Sequence, residues 1–118
     1  MRIRFHIVLF AGLLGLAGCS QGKSTRDLID DLSSTENEDR IQAVRLLQHR
    51  RGDAAIVVPA LIESLNDQDR EIRWSAAIGL GYFGADAEAA IPVLETAQRD
   101  PDGRVREAAR VAVSRIRD

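Results

Sequence analysis

Among 118 residues there are one cysteine, one tryptophan, one tyrosine, three prolines and two histidines. A lone cysteine cannot close a disulfide within the chain. It and the two distant histidines also lack the close ligand spacings of a zinc site, so no metal, no cofactor and no redox chemistry are expected. Aromatic residues make up only 4% of the composition, against 45% for all hydrophobic types. A core drawn from such a set must be assembled from many small aliphatic contacts, which favours packed helices. No apolar run approaches the roughly 20 residues that cross a bilayer as a helix; residues 5–17, interrupted only by His6, stop at 13. Neither sign of charge dominates, with 16 basic against 18 acidic side chains, and such a balance is not built to follow a phosphate backbone, so no nucleic acid is expected as partner. Length and composition leave room for one globular domain.

Arg2 and Arg4 precede the apolar run, and Gly18 is the small residue before Cys19. Charged, apolar and small segments in that order are the parts of a secretory signal. Leu16, Ala17, Gly18 and Cys19 together resemble the lipobox of bacterial lipoproteins. The resemblance implies cleavage between Gly18 and Cys19, a diacylglyceryl thioether on the Cys19 sulfur, and acylation of the new amine. Two or three acyl chains make a stable membrane anchor where one alone is marginal. A place in the cell envelope outside the cytoplasm follows from the same resemblance, and Ser20 after the anchor implies the outer membrane over the inner. An ordinary secretory signal ending beside an idle cysteine is the plainer alternative. Loss of residues 1–18 leaves 14 basic against 18 acidic side chains. Residues 19–24 form a linker whose reach, at about 3.5 Å per residue, is about 20 Å, so the domain over 25–118 is expected close to a membrane surface.

That domain repeats itself every 33 residues. Pro59, Leu61, Asp67, Asp69, Arg73 and Ala76 recur as Pro92, Leu94, Asp100, Asp102, Arg106 and Ala109, and Leu28, Leu32, Arg40, Ala43 and Leu47 lie 33 positions before Leu61, Leu65, Arg73, Ala76 and Leu80. Units over about 25–55, 56–88 and 89–118 follow. Each reads as two helices by its apolar spacing. In the second unit Ile56, Val57, Ala60, Leu61 and Leu65 mark a first helix, and Ile72, Ala76, Gly79, Leu80 and Phe83 one face of a second. The third repeats this with Ile91, Leu94 and Ala97, then Val105, Ala109, Ala112, Val113 and Ile116. In the first unit Ser24 with Asp27 fits a capping box before Leu28, and Thr35 with Glu38 fits another before Ala43, Leu46 and Leu47. Gly84 is placed to end a helix in the left-handed conformation, and Gly79 and Gly81 inside a helix point to close approach of a neighbour. The expected fold is all-α, a superhelical solenoid of three hairpins, about the fewest that bury a shared core. Arg26, Asp30 and Asp31 at one end and Arg115, Arg117 and Asp118 at the other are expected as polar caps.

A proline in the first helix, an aspartate eight residues later and an arginine six beyond that resemble the HEAT repeat: Pro59, Asp67 and Arg73, then Pro92, Asp100 and Arg106. Residues 72–84, IRWSAAIGLGYFG, look like the short HEAT variety of bilin lyases. The first unit departs, with Arg26 for the proline and Ser34 for the aspartate. The resemblance implies a ladder between units in which Asp67, Arg73, Asp100 and Arg106 are structural, as a guanidinium bridging a carboxylate at a helix start would be. Arginines gripping an anionic ligand are the functional alternative.

Trp74, Ile78 and Tyr82 stand four apart along the second unit's second helix, away from its apolar face. Their counterparts are Ile41, Arg45 and His49 before and Glu107, Val111 and Arg115 after, so the aromatic patch belongs to the middle unit alone. HEAT arrays turn their second helices to the concave side, which implies either a binding patch for a protein or peptide or a cover over the seams between helices. Calcium is not expected at the acidic turns, which lack the closing glutamate of a calcium loop. No His-Glu dipeptide occurs, which sets the chain apart from the iron hydroxylases with HEAT repeats. The expected function is a lipid-anchored interaction module rather than an enzyme, with a self-assembling envelope component or a lyase-like accessory subunit as alternatives.

Overall fold

The computed structural model describes residues 22–118, and every regular element among them is helical. Helix α1 spans Thr25–Asp31, α2 Asn37–Leu47, α3 Ala54–Ser64, α4 Arg70–Phe83, α5 Ile91–Ala97 and α6 Gly103–Arg117; short 3₁₀ segments, Arg51–Asp53 and Gly84–Ala90, lead into α3 and α5. The second helices of the three pairs, α2, α4 and α6, lie side by side as one layer, and α3 and the segment leading into α5 pack on the other side of α4. The fold is an all-α solenoid. Residues 1–21, and with them Cys19 and the expected signal and cleavage site, lie outside the described residues.

The 33-residue period fixes where the second helices begin. Their N-caps are Glu36, Asp69 and Asp102. The Asp69 side chain accepts the Glu71 N–H, and the Asp102 side chain accepts those of Arg104 and Val105, which satisfies donors that a helix start leaves open. In the first unit this period overrides the expected Thr35–Glu38 box: the cap is Glu36, with no side-chain capping bond. Ser34 supplies the local acceptor instead. Its hydroxyl takes the Glu36 N–H at 3.2 Å, as Asp67 takes that of Asp69 and Asp100 that of Asp102, each at 2.9 Å. The Ser24–Asp27 box does form at the head of α1, and hydrogen bonding from Ser24 holds the Asp27 carboxyl below its ordinary value.

Leucine, valine and alanine from all three pairs form one contiguous core, with Leu28, Leu47, Leu61, Ile72, Leu80 and Leu94 almost wholly buried. Two expected core positions are open instead: Ile56 is 39% and Leu46 40% exposed. Leu46 is the counterpart of Gly79, and Gly79 lies against Gln48 of the preceding pair and Leu61 of its own. No described element covers Leu46 in that way. The glycines permit close packing, since a Cβ on Gly79 would stand 3.2 Å from the Gln48 Cβ, and one on Gly81 3.2 Å from the Ala112 Cα. The outer side of α6 carries Arg110 and Ser114 where α4 has Ala77 and Gly81 at its seam. Arg117 pairs with Glu95 at 2.7 Å, whereas Arg115 turns from the expected cap toward the cleft beside α4.

Gly84 ends α4 with φ +56° and ψ −133°. Its φ is positive as expected, but its ψ lies outside the left-handed helix, in a region that glycine alone enters freely. Nothing lies within 4 Å of a Cβ built there. Gly84→Ala therefore tests backbone conformation by itself, with an expected loss of about 1–3 kcal/mol in urea denaturation. An unchanged midpoint would show that the chain relaxes there without cost.

Candidate functional site

Two features carry chemistry, and both arise from the repeat. The first is the ladder. Arg40 Nε donates to Asp67 Oδ2 at 3.0 Å and its Nη2 to Oδ1 at 3.3 Å; one unit on, Arg73 Nε donates to Asp100 Oδ2 at 2.8 Å and its Nη2 to Oδ1 at 3.2 Å. Each guanidinium also reaches back to its own turn, Arg40 to the Ser34 carbonyl and Arg73 to those of Asp67 and Gln68. The result is a bidentate pair tied to backbone on one side, the arrangement in which arginine is strongest. Burial pushes the Asp100 carboxyl up, but the bonds from Arg73 and from the Asp102 N–H outweigh it and hold the carboxyl below its ordinary value.

Arg106 is anchored alike, with Nη1 on the Asp100 and Pro101 carbonyls at 2.8 and 3.0 Å. Among the described residues its Nε and Nη2 find no carboxylate. The rungs therefore join Arg40 to Asp67 and Arg73 to Asp100, while Ser34 stands where a preceding rung would need an aspartate.

The second feature is a trough between α4 and α6, about 540 Å³ in volume. Trp74, Ile78 and Tyr82 form one wall, and Glu107, Val111 and Arg115, their counterparts 33 residues on, form much of the other. Small residues make the floor: Ala77 and Gly81 from α4, Ala108 and Ala112 from α6. Because Gly81 has no side chain the two helices approach closely, and the trough is shallow but continuous. Tyr82 is 39% exposed and Trp74 half-buried against the core, so the tryptophan both packs and faces the trough.

Arginines from α6 lie on both rings. The Arg104 guanidinium carbon stands 5.0 Å from the Trp74 centroid and that of Arg115 5.6 Å from Tyr82, within range of a cation–π attraction of about 0.5–1 kcal/mol at an exposed site. Glu71 pairs with Arg104 at 3.1 Å and with Arg45 at 3.4 Å, and Asp102 lies 3.8 Å from Arg104. Arg115 has no carboxylate within ion-pairing distance among the described residues. The sequence expects Arg115 as a polar cap and does not single out Arg104, although the period holds the signal: Arg115 lies 33 residues beyond Tyr82 and Arg104 lies 33 beyond Glu71, and residues so spaced become neighbours across the seam. No group of three or more metal-ligating side chains occurs among the described residues, and no described helix is long and apolar enough to cross a membrane.

No curated protein sequence matches the chain. A solved structure does: the complex of CpcE and CpcF of phycocyanin lyase from Nostoc sp. is similar with a TM-score of 0.75 and 29% identity, over 82% of this chain and 38% of that one. The protein thus spans under two fifths of the length of that relative. The family model for HEAT repeats matches residues 25–114, a stretch that carries the ladder and all of the trough's lining but Arg115. The chain belongs to the HEAT-repeat family.

Proposed function

We propose that this chain is a non-enzymatic interaction module, held by a lipid on Cys19 at the bacterial cell envelope, on the periplasmic face of the outer membrane, and that its trough binds a segment of a partner protein. The observation that carries the binding role is the trough itself: an apolar concavity of about 540 Å³ walled by tryptophan, isoleucine and tyrosine. Those aromatic types dominate binding hot spots, and a concave, mostly apolar surface with a few polar groups at its edge is the usual form of a recognition site. The anchor rests on the sequence of residues 16–20.

Mild cross-linking in native membranes, followed by purification of the full chain, tests the binding role. A defined partner that is lost in Trp74→Ala, while the variant keeps its helical circular dichroism, is the expected result. Recovery of the chain only with copies of itself would favour a self-assembling component instead. The anchor is tested separately: palmitate labelling and globomycin-sensitive processing are expected in the parent and absent in Cys19→Ala, and labelling that survives the substitution would refute it.

A second reading, an accessory subunit of a lyase-type enzyme, is favoured by the likeness to the complex of CpcE and CpcF of phycocyanin lyase. It would replace the first if the captured partner were catalytically active only with this chain bound.

A further inference from the structure

Resting on the reading of the trough as a binding site, we infer that its occupant is an amphipathic helix of a partner protein that seats apolar side chains between α4 and α6 and places a carboxylate on Arg115. The walls run along two adjacent helices in steps of four residues, and a groove between two packed helices accepts a third by its ridges. From Trp74 to Tyr82 the wall is eight residues long, about 12 Å at 1.5 Å per residue, or about two helical turns. A guest helix thus presents apolar residues at i and i+4 over a floor of alanine and glycine.

Charge sets which end of the guest is acidic. Arg104, at the Trp74 end, already has Glu71 and Asp102 beside it. Arg115, at the Tyr82 end, rests on the tyrosine face, and a Cβ on Gly81 would stand 3.7 Å from its Cδ. Its side chain is therefore supported on two sides while its charge is without a carboxylate among the described residues. A cation that no described carboxylate pairs, at one end of an apolar trough, calls for a carboxylate within a turn of the apolar anchor.

A displayed library of random amphipathic helical peptides, selected against the full chain in detergent, tests this. The parent should enrich peptides with apolar residues at i and i+4 and an Asp or Glu beside them. Arg115→Glu should reverse the preference to Lys or Arg and weaken the parent's best peptide at least tenfold, whereas Arg99→Glu, at an exposed arginine outside the trough, should change neither. Peptides that lack an acid, or that are indifferent to Arg115→Glu yet lost in Trp74→Ala, would overturn the charge pairing and leave the trough as a binding site. Failure to enrich any peptide dependent on Trp74 would overturn both.

Discussion

An Asp100→Ala variant should melt roughly 10–20 °C below the parent, for a loss of about 2–3 kcal/mol at 4–8 °C per kcal/mol in a domain of this size. The Arg73 and Asp100 side chains are only 16% and 9% exposed. Removing one member of a fully buried pair costs about 3–5 kcal/mol because the other charge is stranded; partial access to water lowers the figure here. The Asp102 N–H also loses its acceptor. Arg106→Ala supplies the control. That arginine has the same backbone bonds but no carboxylate partner among the described residues, so its loss should cost about 1 kcal/mol. Equal melting temperatures for the two variants would show that the ladder contributes nothing. The effect also depends on pH. Because the folded-state pKa of Asp100 is lowered, its contribution is complete above the unfolded carboxylate pKa of about 3.9 and is lost as pH falls through the lower folded value. The gap between parent and variant should be widest near neutrality and narrow below about pH 4.

Gly81→Leu should be the most damaging change to the trough. The new Cβ would meet backbone, 3.2 Å from the Ala112 Cα, and backbone on a packed helix cannot give way as the end of a flexible side chain can. Forcing α6 from α4 is expected to cost about 1–3 kcal/mol, partly offset by about 1 kcal/mol of regained helix propensity. The branched side chain would also fill the trough floor, so binding of a helical peptide should fall together with stability in denaturant titration. A variant that binds and melts like the parent would mean that α4 and α6 are not held at the distance described.

The helices were legible because their spacing repeats. With Asp69 and Asp102 standing 33 apart, the period places the third cap near residue 36, and the Thr35–Glu38 motif misleads because a local match says nothing about register. Ile56 and Leu46 were misplaced for a related reason: hydrophobicity marks a face as apolar, but only the neighbouring unit decides whether it is covered. The ladder could be read in type but not in pairing, since nothing within one unit says that its arginine reaches forward and its aspartate back. The trough was half visible. Its aromatic wall stood out by composition, whereas Arg104 and Arg115 resemble any solvated helix residue until the seam brings them over the rings.

Each rung takes its arginine from one unit and its aspartate from the next, and the middle turn serves both, accepting Arg40 on the Asp67 carboxylate and bracing Arg73 with the Asp67 carbonyl. A unit built that way can be copied. Duplicating the middle unit in register would bring one new arginine and one new aspartate: the Arg40–Asp67 rung would stay as it is, Arg73 would take the new aspartate, and Asp100 the new arginine. An insertion between the turns that is not a whole number of units would break a rung and shift the caps of the helices beyond it. The solenoid is thus a structure that can lengthen by whole units without redesign of its seams.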